Sequence, residues 1–367
     1  MHIFQSIRFG LRFYILSLIV LFFNGCSSEP KQPPRPDTRE VNVVVLLPLS
    51  GQYAHIGDSY LKAIELALFE FADLNLKAQV LDTKGTFEGT LETLKHVKDA
   101  DVVLGPVMST AVDAVSMWAL KRKIPVISLT NNFTKAQPGV FVFGIPPQSE
   151  IEAMVGSAVK NRMERFTAIL PSGAFGATMR ESLEKTIQAY GASLVDVFFY
   201  SPNMDELPSI IKQMQKKTVA GIFVLSGGKE LFTISEAIKS AKISGRILGT
   251  QQWKASDVIH WRNLSESWYT SGYSAQKQIF ENRYFSLYNK EPDVSAYLAY
   301  DAMAMLAKLH KLSYDAPFSM TALTSPMGFV GLQGSFSLQK DGSVKRKIAI
   351  MEIKDGTSQM RELVEGK

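Results

Sequence analysis

Apolar runs rich in β-branched residues alternate twice over with segments of helical period, and this alternation constrains the fold more than anything else in the chain. Residues 41–48, Val-Asn-Val-Val-Val-Leu-Leu-Pro, have the near-continuous apolar character of a strand buried on both faces. Leu61, Ile64, Leu68 and Phe71 then recur at steps of three and four, one stripe of a helix. Strand-like 77–81 leads to Leu91, Leu94 and Val97, and 101–105 leads to Val112, Val115 and Ala119; 124–128 and 140–143 close the first round. The second round runs through 166–170, 193–199, 219–225 and 246–249, with helical stripes between them at Met179, Leu183, Ile187 and Tyr190, at Leu207, Ile210 and Met214, and at Leu231, Ile234 and Ile238. Two long helices follow, through Ile279, Phe280, Tyr284 and Leu287 and through Tyr297, Tyr300, Ala304 and Ala307. The tail changes character: 334–338 and 346–353, on either side of Lys340-Asp-Gly-Ser343, read as antiparallel strands around an Asp-Gly turn. The pattern predicts two α/β units, each a mostly parallel sheet flanked by helices, with a β-rich end.

The first 25 residues set the compartment. Arg8 and Arg12 precede an apolar run from Phe13 to Phe23, followed by Asn24-Gly25-Cys26, the charged, apolar, small-residue order of a secretory signal. The run is well short of the 18 or so residues that suggest a spanning helix. Cys26, the sole cysteine, directly follows the glycine. This resembles the lipobox of bacterial lipoproteins, which implies that Cys26 is acylated and that the chain is held at a membrane by its lipids, each buried CH₂ contributing about 0.8 kcal/mol. Ser27 after the cysteine is compatible with outer-membrane sorting in lipoproteins of this kind. Residues 27–40 carry four prolines and no large apolar side chain, an extended tether. Expected boundaries are therefore a signal peptide at 1–25 and a lipid anchor with Pro-rich tether at 26–40.

Loss of residues 1–25 removes two arginines and no acid, taking the formal net charge from +5 to +3, too near neutral to argue for nucleic acid. Catalytic patterns are poor. Ser-x-x-Lys recurs at eight serines with no Lys-Thr-Gly partner. Ser226-Gly-Gly-Lys229 follows a strand in the manner of a phosphate-binding loop, yet Phe223 stands where that pattern needs its first glycine. The five histidines are scattered and form no cluster of ligand spacing, so neither metal nor cofactor is expected.

Pro48-Leu-Ser-Gly51 followed by Tyr53, Ala54 and Gly57, then Leu81-Asp-Thr83, Gly105-Pro106 with Ser109, Ile124-Pro-Val-Ile-Ser128, Ala299-Tyr-Asp-Ala302 and Gly331, Gly334, Phe336 and Asp341-Gly342 resemble, in order and spacing, the type I periplasmic binding fold. Within it, Leu47-Pro-Leu-Ser-Gly51, Asp82-Thr-Lys-Gly85, Leu170-Pro171, Ile247-Leu-Gly-Thr250 with Trp253, and Phe329 to Gly334 are most similar to penicillin-binding protein activators. The resemblance implies two lobes joined by three crossovers, 41–146 plus 272–325 and 147–271 plus 326–360, facing each other across a cleft at the carboxyl ends of the strands. Cleft candidates are Ser50, Tyr53, Ser109, Thr110, Thr130, Asn131 and Phe175; Ser109 or Thr110 would also serve to cap the helix after Gly105. Phe175 stands where a tyrosine is common, so it stacks but offers no hydroxyl. Trp253, Trp261 and Trp268 fall in a loop-rich stretch and are candidate anchors for a protein partner. Two non-catalytic functions follow from the resemblance. One is an outer-membrane lipoprotein that regulates peptidoglycan synthesis by contacting a penicillin-binding protein; the other is the substrate-binding lipoprotein of an ABC importer that closes on an amino acid or amide.

Overall fold

The computed structural model describes residues 40–72, 74–253, 258–312 and 316–365. The signal peptide, Cys26 and the tether up to residue 39 lie outside the described residues. The first sheet is all parallel, ordered β2 (Leu76–Asp82), β1 (Val41–Leu47), β3 (Val102–Leu104), β4 (Val126–Ser128), β5 (Val140–Val142). The second repeats that order with β7 (Ser193–Tyr200), β6 (Arg165–Pro171), β8 (Gly221–Val224), β9 (Arg246–Gly249) and β10 (Trp268–Ser271), again parallel. Beyond β10 it continues antiparallel through β13 (Val344–Lys354), β12 (Gly334–Leu338) and β11 (Phe329–Gly331), with β14 (Thr357–Glu365) also on β13. The chain passes between the two sheets three times, at 143–146, 272–276 and 324–328. This is the two-lobed α/β architecture that the alternation predicts.

The central parallel strands of each sheet are covered on both faces, which is why they are apolar at nearly every position. In β1, Val43, Val45 and Leu47 face a core shared with α1 (Ala54–Glu70), α8 (Lys277–Tyr288) and α9 (Val294–Leu312), while Val44 and Leu46 face one shared with α2 (Phe87–Leu94) and α3 (Ser109–Leu120). The second sheet packs α4 (Pro147–Lys160) and α5 (Ala174–Ala189) on one face, α6 (Leu207–Met214) and α7 (Gly228–Ser240) on the other. Leu332, Phe336 and Leu338 hydrogen-bond within the second sheet's antiparallel extension or beside it, yet their side chains enter the first core. The α10 turn (Met320–Leu323) precedes this return.

Both units use the same close approach. A Cβ at Gly57 on α1 would lie 2.1 Å from the Pro48 carbonyl oxygen beyond β1, and one at Gly176 on α5 would lie 1.8 Å from the Pro171 carbonyl oxygen at the end of β6. Only glycine lets each helix sit this close to the end of its strand.

Three expectations change. The buried face of α1 is Gly57, Tyr60, Ala63, Ile64, Leu66 and Ala67, with Leu61 and Leu68 half-buried against the same core and Phe71 beyond the helix end, because the small residues meet α9 there. Neither Ser109 nor Thr110 caps α3; they are its first two residues, and Met108 stands at the cap with no side-chain bond. The stretch around Trp268 is a strand, and a last strand, β14, extends the second unit to Glu365.

Candidate functional site

In both sheets the strand order reverses direction of winding next to the first strand, between β1 and β3 and between β6 and β8, and crevices for ligands form beyond the carboxyl ends of strands at such points. A cavity of about 590 Å³ opens there in the second unit, within the size range of small-molecule sites. Its walls are Pro171 and Phe175 after β6, Leu225, Ser226 and Gly227 after β8, and Gln251 and Gln252 after β9. The facing wall comes from the first unit: Asp293, Val294 and Ser295 at the start of α9. The site therefore lies between the two lobes.

Asp293 is fixed from three directions. It accepts hydrogen bonds from the Ala296 amide at 3.0 Å, from the Ser59 hydroxyl at 2.8 Å and from the Ser295 hydroxyl, so it caps α9 and ties it to α1. On the other side, Gly227 stands at the cap of α7 with no side-chain bond, leaving the first-turn amides of α7 without a side-chain acceptor. Ser226 is 7 % exposed. Burial raises the pKa of Tyr200, and the side-chain hydrogen bond between its hydroxyl and Ser226 offsets part of that rise.

Behind Gln251 sits a buried carboxylate. Glu150 on α4 accepts from the Gln251 amide at 2.9 Å, from the Gln251 side chain at 3.3 Å and from the Thr270 hydroxyl. Burial pushes its carboxyl up to about 7 in spite of those bonds. A second buried acid lies on α9. Asp301 on α9 accepts from the Leu332 amide at 2.6 Å and the Gln333 amide at 3.1 Å, and burial raises it to about 6. Arg346 lies between Phe143 and Phe336, 4.5 and 4.8 Å from their ring centres, donates to the Gly144 carbonyl at 3.0 Å and feels the charge of Asp301.

Of the residues expected in the cleft, the cavity brings in Phe175, which is 40 % exposed on the first turn of α5. The other six stand at the ends of the first sheet's strands and not in its wall. The Ser50 hydroxyl donates to Asp82 at 2.6 Å, and Asp82 also accepts from the amides of Leu49 and Lys84, so Ser50 serves to hold its own loop. Burial alone would raise Asp82, but these bonds outweigh it and the carboxyl is lowered. Tyr53 is half-buried against Gly85. Ser109 is half-buried and Thr110 exposed at the start of α3. Thr130 is buried and its hydroxyl accepts from the Asn132 amide at 3.3 Å; Asn131 is exposed. Sequence reading missed Asp293, Gln251 and Gln252. Asp293, three residues before Ala296 at the head of a long apolar helix, does carry a capping signal, but nothing local tells that the cap opens onto a cleft.

A family model described as periplasmic binding protein matches residues 40–358, most of the chain. The chain belongs to the periplasmic binding protein family. Solved structures agree on the fold. A branched-chain amino acid ABC transporter periplasmic ligand-binding protein from Burkholderia xenovorans LB400 superposes with a TM-score of 0.71 at 16% identity, over 89% of this chain and 96% of that one. A solute-binding protein of an ABC transporter from R. palustris, in complex with benzoate, gives 0.63 at 19% over 89% and 97%. The branched-chain amino acid transporter substrate-binding protein LivJ from Streptococcus pneumoniae, in complex with isoleucine, gives 0.61 at 20% over 89% and 100%.

In this periplasmic binding protein, two of the three tryptophans expected to anchor a partner are core residues. Trp253 is 2 % exposed, stacks on Tyr269 with ring centres 5.9 Å apart and donates to the Val224 carbonyl at 3.3 Å. Trp268 is equally buried, with Arg246 and Arg361 over its ring and Glu352 on its indole nitrogen. Burial of the rings removes both from any surface a partner could reach. Trp261 alone is half-buried, edge-on to the exposed Phe232 at 5.1 Å. Among the described residues, no helix is long and apolar enough to cross a membrane, and no group of three or more His, Cys, Asp or Glu side chains could hold a metal ion.

Proposed function

We propose that this chain is the solute-binding receptor of an ABC importer, tethered through acylated Cys26 and closing its lobes, 41–146 with 272–325 and 147–271 with 326–360, on an amino acid or amide. The observation that carries the reading is the cavity itself: it lies at the strand ends where the winding reverses, and its walls come from both units. Its lining combines apolar surface from Pro171, Phe175, Leu225 and Val294 with a few convergent polar groups, the composition of a small-molecule site. Two of the named neighbours are complexes with benzoate and with isoleucine, which favours the importer reading over regulation of a peptidoglycan synthase by contact. In this reading lipids on Cys26 hold the body on the periplasmic face of a membrane, and Ser27 after it is compatible with the outer one.

A thermal-shift screen of the purified chain against amino acids, amides and aromatic acids tests the binding claim. Selective binding to the folded state at 100 times Kd adds about 2.7 kcal/mol of stability, a rise of several degrees in Tm. A silent screen combined with recovery of a penicillin-binding protein in pull-down would overturn the receptor reading. Cys26→Ala is expected to move the protein from membrane to soluble fractions; retention in the membrane would defeat the anchor.

A further inference from the structure

Resting on the reading of Cys26 as a lipid anchor, we infer that the face of the first lobe at the amino ends of its strands is a docking surface for the anionic phospholipid headgroups of the membrane that holds the anchor.

The chain enters the first lobe on this face. Val41 opens β1, and its amide donates to the Asn75 carbonyl in the loop before β2. Asn42 binds Asp99 and Asp101 in the loop before β3. His310, on the last turn of α9, is hydrogen-bonded to the Asn75 backbone. The loop after α3 borders the same end, since the Val103 amide donates to the Pro125 carbonyl. Glu40 follows Cys26 by 14 positions, which at the full extension of a chain span no more than about 50 Å. The end of the lobe that receives the chain is thus kept within reach of the lipid.

The side chains there suit a charged lipid surface. Lys98, Lys121, Lys123 and Lys311 stand exposed around the point of entry and make no ion pair among the described residues. The nearby acids are turned to the backbone and side chain of Asn42: Asp101 accepts from its amide at 2.8 Å and Asp99 from its carboxamide at 3.2 Å. Helix dipoles favour cations at the ends of α2, α3 and α9, which accounts for lysine there but not for exposed hydrocarbon in the same place. Yet Phe69, on the last turn of α1, is 80 % exposed, and Leu312, the last residue of α9, is 78 % exposed. Unpaired bases around protruding apolar side chains are what a surface needs to settle among anionic headgroups, the bases at the phosphates and the apolar tips below them. The cleft opens at the opposite, carboxyl ends of the strands, so this orientation turns it away from the lipid and toward its solutes.

The test is flotation of the processed chain, residues 26–367 carrying Cys26→Ala so that no lipid assists, with vesicles of phosphatidylcholine alone and of phosphatidylcholine mixed with phosphatidylglycerol. The expected result is binding to the mixed vesicles at low salt that fades as salt is raised, with little binding to phosphatidylcholine. Each lysine at an anionic surface contributes about fivefold, so Lys98→Glu, Lys121→Glu and Lys311→Glu together should weaken binding at least about tenfold. Phe69→Ser with Leu312→Ser should weaken it about threefold or more, by removing the apolar tips. The matched control reverses Lys212, Lys216 and Lys242, exposed lysines at the amino ends of the second lobe's strands, to Glu. Both triple variants change the net charge equally, so the difference between them reports position. All the changed side chains are exposed, and melting of each variant checks its fold. Equal losses from the two triple variants, equal binding to both kinds of vesicle, or no binding to either would overturn the inference. None of these outcomes touches the anchor, which is read separately from fractionation of the acylated chain.

Discussion

The Glu150 carboxylate on α4 accepts the backbone N–H of Gln251 at 2.9 Å, linking the helix that enters the second lobe to a residue in the cavity wall 101 positions later. A buried, ionisable group thus supports one side of the cleft.

Its titration gives the first prediction. The carboxyl titrates near 7 in the folded chain and near 4.5 in the unfolded one, so the native state binds more protons between those values. The stability it contributes is full below about pH 4.5 and lost as pH rises through 7. Denaturant unfolding of wild type and Glu150→Gln should therefore diverge across this window. The wild type should lose on the order of 2–3 kcal/mol relative to the variant. Parallel curves from pH 4.5 to 8 would show that Glu150 does not titrate in this way.

Asp301 and Arg346 form the second case. Replacing Asp301 by Ala strands the amides of Leu332 and Gln333 and leaves Arg346 buried without its compensating charge, so a loss of roughly 3–5 kcal/mol is expected. Arg346→Met should cost a comparable amount by leaving Asp301 unmatched. The double variant should lose less than the sum, with a coupling of about 1–3 kcal/mol in a double-mutant cycle. Additive losses would mean that the two act separately.

Trp253→Ala should lower stability by roughly 3–5 kcal/mol, since it opens a hole under Tyr269 and beside Gly249 and removes the bond to Val224. A partner-docking residue would behave differently, keeping Tm while losing the partner. Thermal unfolding distinguishes the two.

Gly57→Ala and Gly176→Ala should each destabilise by about 1–3 kcal/mol, because the added carbon meets a backbone oxygen that no side-chain rotation can relieve. Equal stability of either variant with the wild type, in a urea titration, would contradict the close approach.

Strands β1, β6 and β8 and the helices between them were legible because their signals are local: β-branched runs with no polar break, and apolar stripes at helical period. β14 was not, since an outer strand with alternating exposure needs few apolar residues and Thr357–Glu365 reads as polar. Trp268 looked like a loop residue until β9 and β13 flanked it.

The cleft shows the same division. Phe175 could be found from the family resemblance, which implies an aromatic at that place in the second-lobe loop. Asp293 could not, because its place opposite Ser226 depends on α9 returning to the first core after the chain has built most of the second lobe. By itself the sequence determined two α/β units and the strand ends where ligands gather, for the hydrophobic pattern acts over neighbouring residues. Only the tertiary structure decided which side chains face each other across the cavity and which aromatics are sealed in the core, since those depend on three crossings of the chain that leave no periodic trace.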